Sequence, residues 1–177
     1  MKFLVLFSLV ISCLKGQAQS WDEINQRVID FASDNKIDSA LHYAIAGLKK
    51  AEQEFGNKHA NYVKAINILA LVYDMNGDFP SAESKYLQAL STQKELTGIN
   101  SEEYISAVQQ VALMYRDHSD PGKSIQYLEQ AAALTGHSFG KESVQYAKTI
   151  ENLGAAYDDF GEYQKAANLF LECMRIR

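Results

Sequence analysis

The sequence contains little proline and little cysteine, with two of each among 177 residues. Proline interrupts helices because it lacks a backbone N–H and its ring clashes with the preceding turn, so its scarcity permits long helices. The two cysteines are Cys13 and Cys173. If the N-terminal segment is removed, Cys173 stands alone and an intrachain disulfide is excluded. We therefore predict that Cys173 is a small core residue.

The chain also lacks an excess of basic residues. It has 17 lysines and arginines against 22 aspartates and glutamates, which gives a net charge of −5. Without Lys2 and Lys15 of the N-terminal segment, the count is 15 against 22 and the net charge is −7. Nucleic-acid binding depends on a basic face that neutralises phosphates. The composition therefore argues against a nucleic-acid partner.

Arrangements of residues typical of catalysis or metal binding are missing from the sequence. The four histidines are His42, His59, His118 and His137. No two of them are four residues apart, the spacing that places two metal ligands on one helix face. We predict no enzyme activity, no catalytic residues, no cofactor and no metal site.

The first 18 residues are typical of a secretory signal peptide. Lys2 precedes an apolar run from Phe3 to Leu14, and small and polar residues follow. The run is shorter than the roughly 20 residues that a membrane-spanning helix needs. We expect cleavage after Ala18 and a periplasmic or secreted protein. An alternative interpretation is a lipoprotein anchored through Cys13, and either route exports the chain.

A unit of 42 residues recurs along the rest of the chain. Tyr62, Tyr104 and Tyr146 occupy equivalent positions, since 104 − 62 = 42 and 146 − 104 = 42. A constant period of about 20 to 50 residues is typical of solenoid proteins. We divide the array into a degenerate repeat at 19–61, repeats at 62–103 and 104–145, and an incomplete repeat at 146–177.

Each unit has the pattern of two helices joined by a short turn. Val63, Ile66 and Leu69 follow one another at the three-residue step of a helical face. Gly77 is expected to adopt a left-handed conformation after the first helix, and Asp78 to cap the second. The sequence therefore predicts an all-α protein of antiparallel helix pairs.

The turn of the second full repeat departs from this pattern. His118–Gly122 carries Ser119 where the flanking repeats have Gly77 and Gly161. Because glycine adopts the left-handed conformation most readily, we expect an altered turn here. Both helices should nevertheless be retained.

These repeats resemble the tetratricopeptide repeat over nearly all of the chain that follows the signal segment. In the first full repeat the matching residues are Leu69, Ala70, Tyr73, Gly77, Asp78, Phe79, Ala82, Tyr86 and Ala89. Their counterparts in the last repeat are Leu153, Gly154, Tyr157, Gly161, Glu162, Tyr163, Ala166, Phe170 and Cys173. The middle repeat keeps Tyr115 and Ala131 but has Ser124 where the others have alanine. The period of 42, with Gly56, Gly98 and Gly140 recurring, is similar to the kinesin-light-chain type of repeat.

The resemblance implies a right-handed superhelix whose first helices line a concave groove that binds peptides or partner segments. Carrying the groove-facing positions of the family onto this sequence predicts twelve binding residues: Lys64, Asn67, Leu71, Asp74, Ser106, Gln109, Leu113, Arg116, Lys148, Glu151, Ala155 and Asp158. A solvated helix face without a ligand is the alternative interpretation of the same residues.

We therefore expect an exported, non-enzymatic scaffold that binds a protein or peptide segment in its groove. One alternative is the repeat region of a larger regulatory, signalling or caspase-like protease protein. A second is a surface lipoprotein that aids nutrient binding. The last helix carries apolar residues without a following polar helix, so docking or self-association through this C-terminal end is also expected.

Overall fold

The computed structural model describes residues 19–118 and 120–177. These residues form eight α-helices and no strand: α1 Trp21–Ser33, α2 Ile37–Phe55, α3 Ala60–Met75, α4 Phe79–Thr97, α5 Glu102–Asp117, α6 Pro121–Phe139, α7 Val144–Asp159 and α8 Tyr163–Ile176. The prediction of an all-α solenoid of helix pairs is confirmed. The predicted signal peptide and the alternative lipid anchor at Cys13 lie outside the described residues, as does Ser119. Export stays a prediction.

The helix boundaries follow the period of the sequence. The second helices begin at Ile37, Phe79, Pro121 and Tyr163, which are 42 residues apart. The first helices of the last three pairs begin at 60, 102 and 144, again 42 apart. The degenerate repeat has a full-length second helix, but its first helix has 13 residues instead of 16. The departures from the repeat at 19–61 therefore shorten one helix and leave the pair intact.

The turn between α3 and α4 has the predicted chemistry. Gly77 has a φ of 75°, in the left-handed region that favours glycine. The carboxylate of Asp78 accepts a hydrogen bond from the backbone N–H of Ser81 at 3.3 Å, which caps α4. Both predictions for this turn are confirmed.

The altered turn predicted between α5 and α6 depends on Ser119, which lies outside the described residues, so it stays a prediction. The residues on either side of Ser119 make the same hydrogen bond as those of the turn between α3 and α4. The N–H of Asp120 donates to the carbonyl of Tyr115 at 2.9 Å, as the N–H of Asp78 donates to the carbonyl of Tyr73 at 2.9 Å. The following helix begins at the expected position, Pro121. The pair is therefore retained, as predicted.

Each helix packs against the next one along the chain, so the core is a series of clusters between neighbouring pairs. Leu128 of α6 and Ile150 of α7 are almost fully buried in the cluster between the last two repeats. Cys173 lies in the same cluster, where its thiol donates a weak hydrogen bond to the carbonyl of Ala147 at 3.4 Å. The prediction that Cys173 is a core residue is confirmed.

Tyrosine hydroxyls link successive repeats. The Tyr115 hydroxyl donates to Glu83 Oε1 at 2.5 Å, and the Tyr157 hydroxyl donates to Glu129 Oε1 at 2.5 Å. The hydrogen bond from Tyr115 lowers the pKa of the Glu83 carboxyl. Burial, followed by the hydrogen bond to Glu129, raises the pKa of Tyr157 to about 12. The contacts join the first helix of one repeat to the second helix of the repeat before it.

Ser124 is a buried polar residue at the position that alanine occupies in the flanking repeats. Its side chain is 0% exposed, and its hydroxyl has no hydrogen-bond partner among the described residues. A buried hydroxyl without a partner costs about 1 to 3 kcal/mol.

We therefore expect Ser124→Ala to raise the free energy of unfolding by about 1 kcal/mol, since it removes the unpaired group and little volume. Urea unfolding followed by circular dichroism measures the change. The matched control is Ala166→Ser at the equivalent position of the last repeat, which should lower the stability. A destabilised Ser124→Ala would show that the hydroxyl has a stabilising partner.

Candidate functional site

Clefts lie along the first helices of the repeats. One of them, which we call the α3–α5 cleft, has a volume of about 410 Å³. It is lined by Lys64, Asn67, Ile68, Leu71 and Asp74 of α3, Tyr86 of α4, and Gln110, Leu113, Met114 and Asp117 of α5. Two successive first helices and the second helix between them therefore build one surface.

Apolar side chains form the centre of this cleft. Ile68, Leu71, Leu113 and Met114 come from facing positions of α3 and α5. Leu71 is 51% exposed, whereas Leu69, Leu128 and Leu153 are buried in the core. An exposed leucine beside other apolar side chains in a concave surface is a feature of ligand and peptide sites.

One end of the α3–α5 cleft is acidic. Asp74 lies in the last turn of α3, Asp117 is the last residue of α5, and Tyr86 lines the same cleft. Burial, and then the charges of Asp74 and Asp117, raise the pKa of Tyr86 to about 12. The phenol is therefore neutral at ordinary pH and can donate a hydrogen bond.

His118 fixes one of these carboxylates. Its Nε2 lies 2.6 Å from Asp74 Oδ1, and its ring packs on Phe79 with the centroids 3.7 Å apart. Asp74 lies in the last turn of α3 and His118 caps α5, so the contact joins adjacent repeats at the acidic end.

Two smaller clefts continue the surface. The second cleft shares Asn67 and Gln110 with the first and is lined in addition by Val63, Gln93, Glu102, Glu103, Ser106 and Ala107. The α5–α7 cleft is lined by Glu102, Ile105, Ser106, Gln109, Thr135, Phe139, Gln145, Lys148 and Thr149. In it, the Gln109 side chain donates to Thr149 Oγ1 at 2.8 Å, which ties α5 to α7.

The structure brings eight of the twelve predicted groove residues into these clefts. Lys64, Asn67, Leu71, Asp74 and Leu113 line the α3–α5 cleft, and Ser106 lines both of the others. Gln109 and Lys148 line the α5–α7 cleft.

The other four predicted residues line none of the three clefts. Arg116 Nε lies 3.7 Å from the carboxylate of its neighbour Asp117. Glu151 accepts a hydrogen bond from Arg177 at 2.5 Å. Ala155 is half-buried and Asp158 is exposed, both on α7. As a binding set, the twelve residues stay a prediction.

The sequence reasoning missed five residues of the α3–α5 cleft: Ile68, Tyr86, Gln110, Met114 and Asp117. A middle helix faces a neighbour on each side, and one residue of offset rotates a side chain by about 100° around the helix. On α5, Gln109 faces α7 whereas Gln110 faces α3. The available signal was the polar and apolar stripe at 110, 113, 114 and 117, which has the spacing of one helical face.

Residues 19–118 and 120–177 contain no cluster of three or more histidine, cysteine, aspartate or glutamate side chains arranged to hold a metal ion. No helix in the same ranges is both long and apolar enough to cross a bilayer. The last helix, α8, exposes the apolar side chains of Tyr163, Leu171 and Met174. Docking or self-association through this end stays a prediction.

The comparisons with known proteins agree with the helix-pair architecture. The sequence model of the tetratricopeptide repeat matches residues 104–177. A search of curated protein sequences found no match. The crystal structure of BtubC (BKLC) from P. vanneervenii superposes with a TM-score of 0.74 at 23% identity, over 93% of this chain and 67% of that chain.

Two further structures have the same fold. The nearly identical TPR-like repeats assigned to a kinesin light chain of Podosopora anserina match with a TM-score of 0.79 at 16% identity, over 97% of this chain and 83% of theirs. A Rap protein complexed with Competence and Sporulation Factor matches with a TM-score of 0.68 at 15% identity, over 88% of this chain and 42% of that chain. The tetratricopeptide-repeat model thus matches residues 104–177, and the described chain has the fold of tetratricopeptide-repeat solenoids such as the kinesin-light-chain repeats.

Proposed function

We propose that this chain is a non-enzymatic interaction module that binds an extended peptide, or a segment of a partner protein, in the α3–α5 cleft. The observation that carries the proposal is the apolar centre of this cleft, where Leu71 is 51% exposed between polar ends. Repeat folds of this family are protein-interaction scaffolds, so a peptide is the kind of ligand that the surface fits.

The dimensions of the cleft suit a short extended segment. Lys64 and Asp74, at its two ends, are ten residues apart on α3. At a rise of 1.5 Å per residue this separation is about 15 Å. An extended chain covers about 3.3 Å per residue, so four or five peptide residues would span the cleft.

The energy of binding would come mainly from apolar burial at the centre. Covering an exposed leucine side chain contributes about 1.5 to 3 kcal/mol. Amides at the cleft edges, Asn67 and Gln110, can donate to and accept from a peptide backbone. The Rap structure, solved as a complex with Competence and Sporulation Factor, supports the binding of a partner by a protein of this fold.

The test begins with selection of binders from a phage-displayed library of random dodecapeptides. The best binder, made with a fluorescent label, is then titrated with wild type and with Leu71→Gln. We expect binding to weaken about tenfold or more, because a polar side chain replaces the apolar contact without changing charge.

Ile45→Gln is the matched control. Ile45 is 50% exposed on α2, outside the clefts, so its loss should leave the affinity unchanged. Equal weakening by both variants, or none by Leu71→Gln, would place the peptide elsewhere. Circular dichroism of both variants checks that the fold is intact.

A further inference from the structure

We infer that the α3–α5 cleft selects a cationic peptide segment, one that places an apolar side chain over Leu71 and a lysine or arginine side chain between Asp74 and Asp117. The inference rests on the proposed function above and specifies the chemistry of the ligand. Its basis is the distribution of charge around the apolar centre.

The cleft and its extension carry an excess of negative charge. Among the lining residues of the α3–α5 cleft and the second cleft, which share Asn67 and Gln110, four are acidic and Lys64 is the one basic residue. The net charge of this lining is −3. Arg116 lies beside Asp117, and the net is still −2 when it is counted.

Two of the four acidic residues, Asp74 and Asp117, lie at one end of the α3–α5 cleft. Asp74 comes from the end of α3 and Asp117 from the end of α5, so they approach the cleft from opposite sides. Tyr86 lines the same cleft and adds a neutral hydroxyl. A cation held between two carboxylates makes charge-assisted hydrogen bonds, which are stronger than neutral ones.

The contact with His118 holds the Asp74 carboxylate in one orientation at the acidic end of the cleft. Nε2 holds Asp74 Oδ1 at 2.6 Å and thereby orients the carboxylate. A carboxylate has two oxygens and about four lone-pair sites, so one hydrogen bond leaves acceptor capacity for a second donor. Concave surfaces of one charge sign also concentrate oppositely charged ligands and speed their association.

Lys64 is the basic residue at the opposite end of the cleft. Its ammonium lies 6.0 Å from the centre of the Trp21 ring, which directs it toward the N-terminal pair. A bound segment would therefore place its cationic residue at the C-terminal ends of α3 and α5. The apolar residue would lie between the two ends, over Leu71.

The experiment measures the charge preference directly. The selected peptide and an analogue with every lysine and arginine replaced by glutamine are titrated with wild type and with the double variant Asp74→Asn, Asp117→Asn. We expect the cationic peptide to bind wild type about tenfold more tightly than the neutral analogue, and this preference to disappear in the double variant.

Two further variants exclude indirect effects. Asp117 is 63% exposed, so Asp117→Asn alone tests the charge without breaking the His118 contact, and it should reduce the preference about threefold. Glu52→Gln with Glu95→Gln removes two negative charges from exposed positions on α2 and α4 and should leave the preference unchanged.

The outcomes separate this inference from the proposed function. If Leu71→Gln weakens binding while the neutral analogue binds as tightly as the cationic peptide, the cleft binds peptides but the inferred selectivity is wrong. If the control pair removes the preference as fully as the aspartate variants do, the effect is one of net charge and the inference is also overturned. If Leu71→Gln weakens the binding of no selected peptide, both the proposed function and the inferred selectivity are overturned.

Discussion

Tyr115→Ala should lower the free energy of unfolding by about 3 to 5 kcal/mol, the range for large aromatic side chains removed from a core. Tyr115 is 6% exposed and packs with Val111 and Met114. Its ring stacks on Tyr127 with the centroids 5.6 Å apart. The substitution would leave a cavity at the interface between two repeats.

The hydroxyl of Tyr115 adds a second contribution. It donates to Glu83, and the ammonium of Lys123 lies 4.5 Å from the centre of the same ring. Tyr115→Phe removes the hydrogen bond and keeps the ring, so it should cost about 1 to 3 kcal/mol. Urea unfolding of both variants separates packing from hydrogen bonding. A loss under about 1 kcal/mol for Tyr115→Ala would mean that this interface is not part of the core.

Trp21→Ala should be nearly as destabilising, at about 3 kcal/mol or more. Trp21 begins α1 and is 6% exposed. It packs with Tyr62 and Ile66 of α3, and its ring meets Phe55 edge-on with the centroids 5.9 Å apart. One side chain therefore joins the shortened first helix to the next repeat, as expected of a packing residue at the end of the array.

Hydrogen exchange would show where the Trp21 effect is felt. In a solenoid, each unit is stabilised mainly by its neighbours, so the amides of α1 should lose protection first. Trp21 Nε1 has no hydrogen-bond partner among the described residues, so Trp21→Phe should cost only about 1 kcal/mol. Similar losses for the alanine and phenylalanine variants would contradict the packing role.

Local features of the sequence were sufficient to predict the fold. The 42-residue period reflects helices that each pack on the next, so a repeated pattern of apolar residues and turn glycines specifies a repeated structure. Gly77 and Asp78 act at their own turn, where backbone conformation and capping depend on adjacent residues. Even Ser119, which replaces a turn glycine, did not alter the position of the following helix at Pro121.

The contacts between repeats were less predictable. Glu83 and Glu129 both accept from a tyrosine of the following repeat, yet they are 46 residues apart and do not share a position in the repeat. The contact between Asp74 and His118 likewise spans 44 residues and not the repeat length of 42. Such contacts depend on the way in which long side chains bridge two helices. The repeat pattern alone does not determine that geometry.

The candidate site shows the same limit. A single groove-facing register identified four of the five lining residues on α3, from Lys64 to Asp74, and missed Ile68. On α5 it identified Leu113 but not Gln110 or Asp117, because the helix presents different sides to α3 and to α7. Asp117 is one of the two carboxylates on which the inferred selectivity depends.

The position of a bound peptide is the most direct test of the central claim that the α3–α5 cleft is the binding surface. A photoreactive phenylalanine analogue is placed at Gln110, in the cleft, and in a second protein at Glu95, which is exposed on α4 outside it. After irradiation with the selected peptide, mass spectrometry measures the cross-linked fraction. We predict cross-linking at 110, competed by unlabelled peptide, and none above background at 95. Equal cross-linking at both positions, or more at 95, would contradict the assignment of the cleft as the binding site.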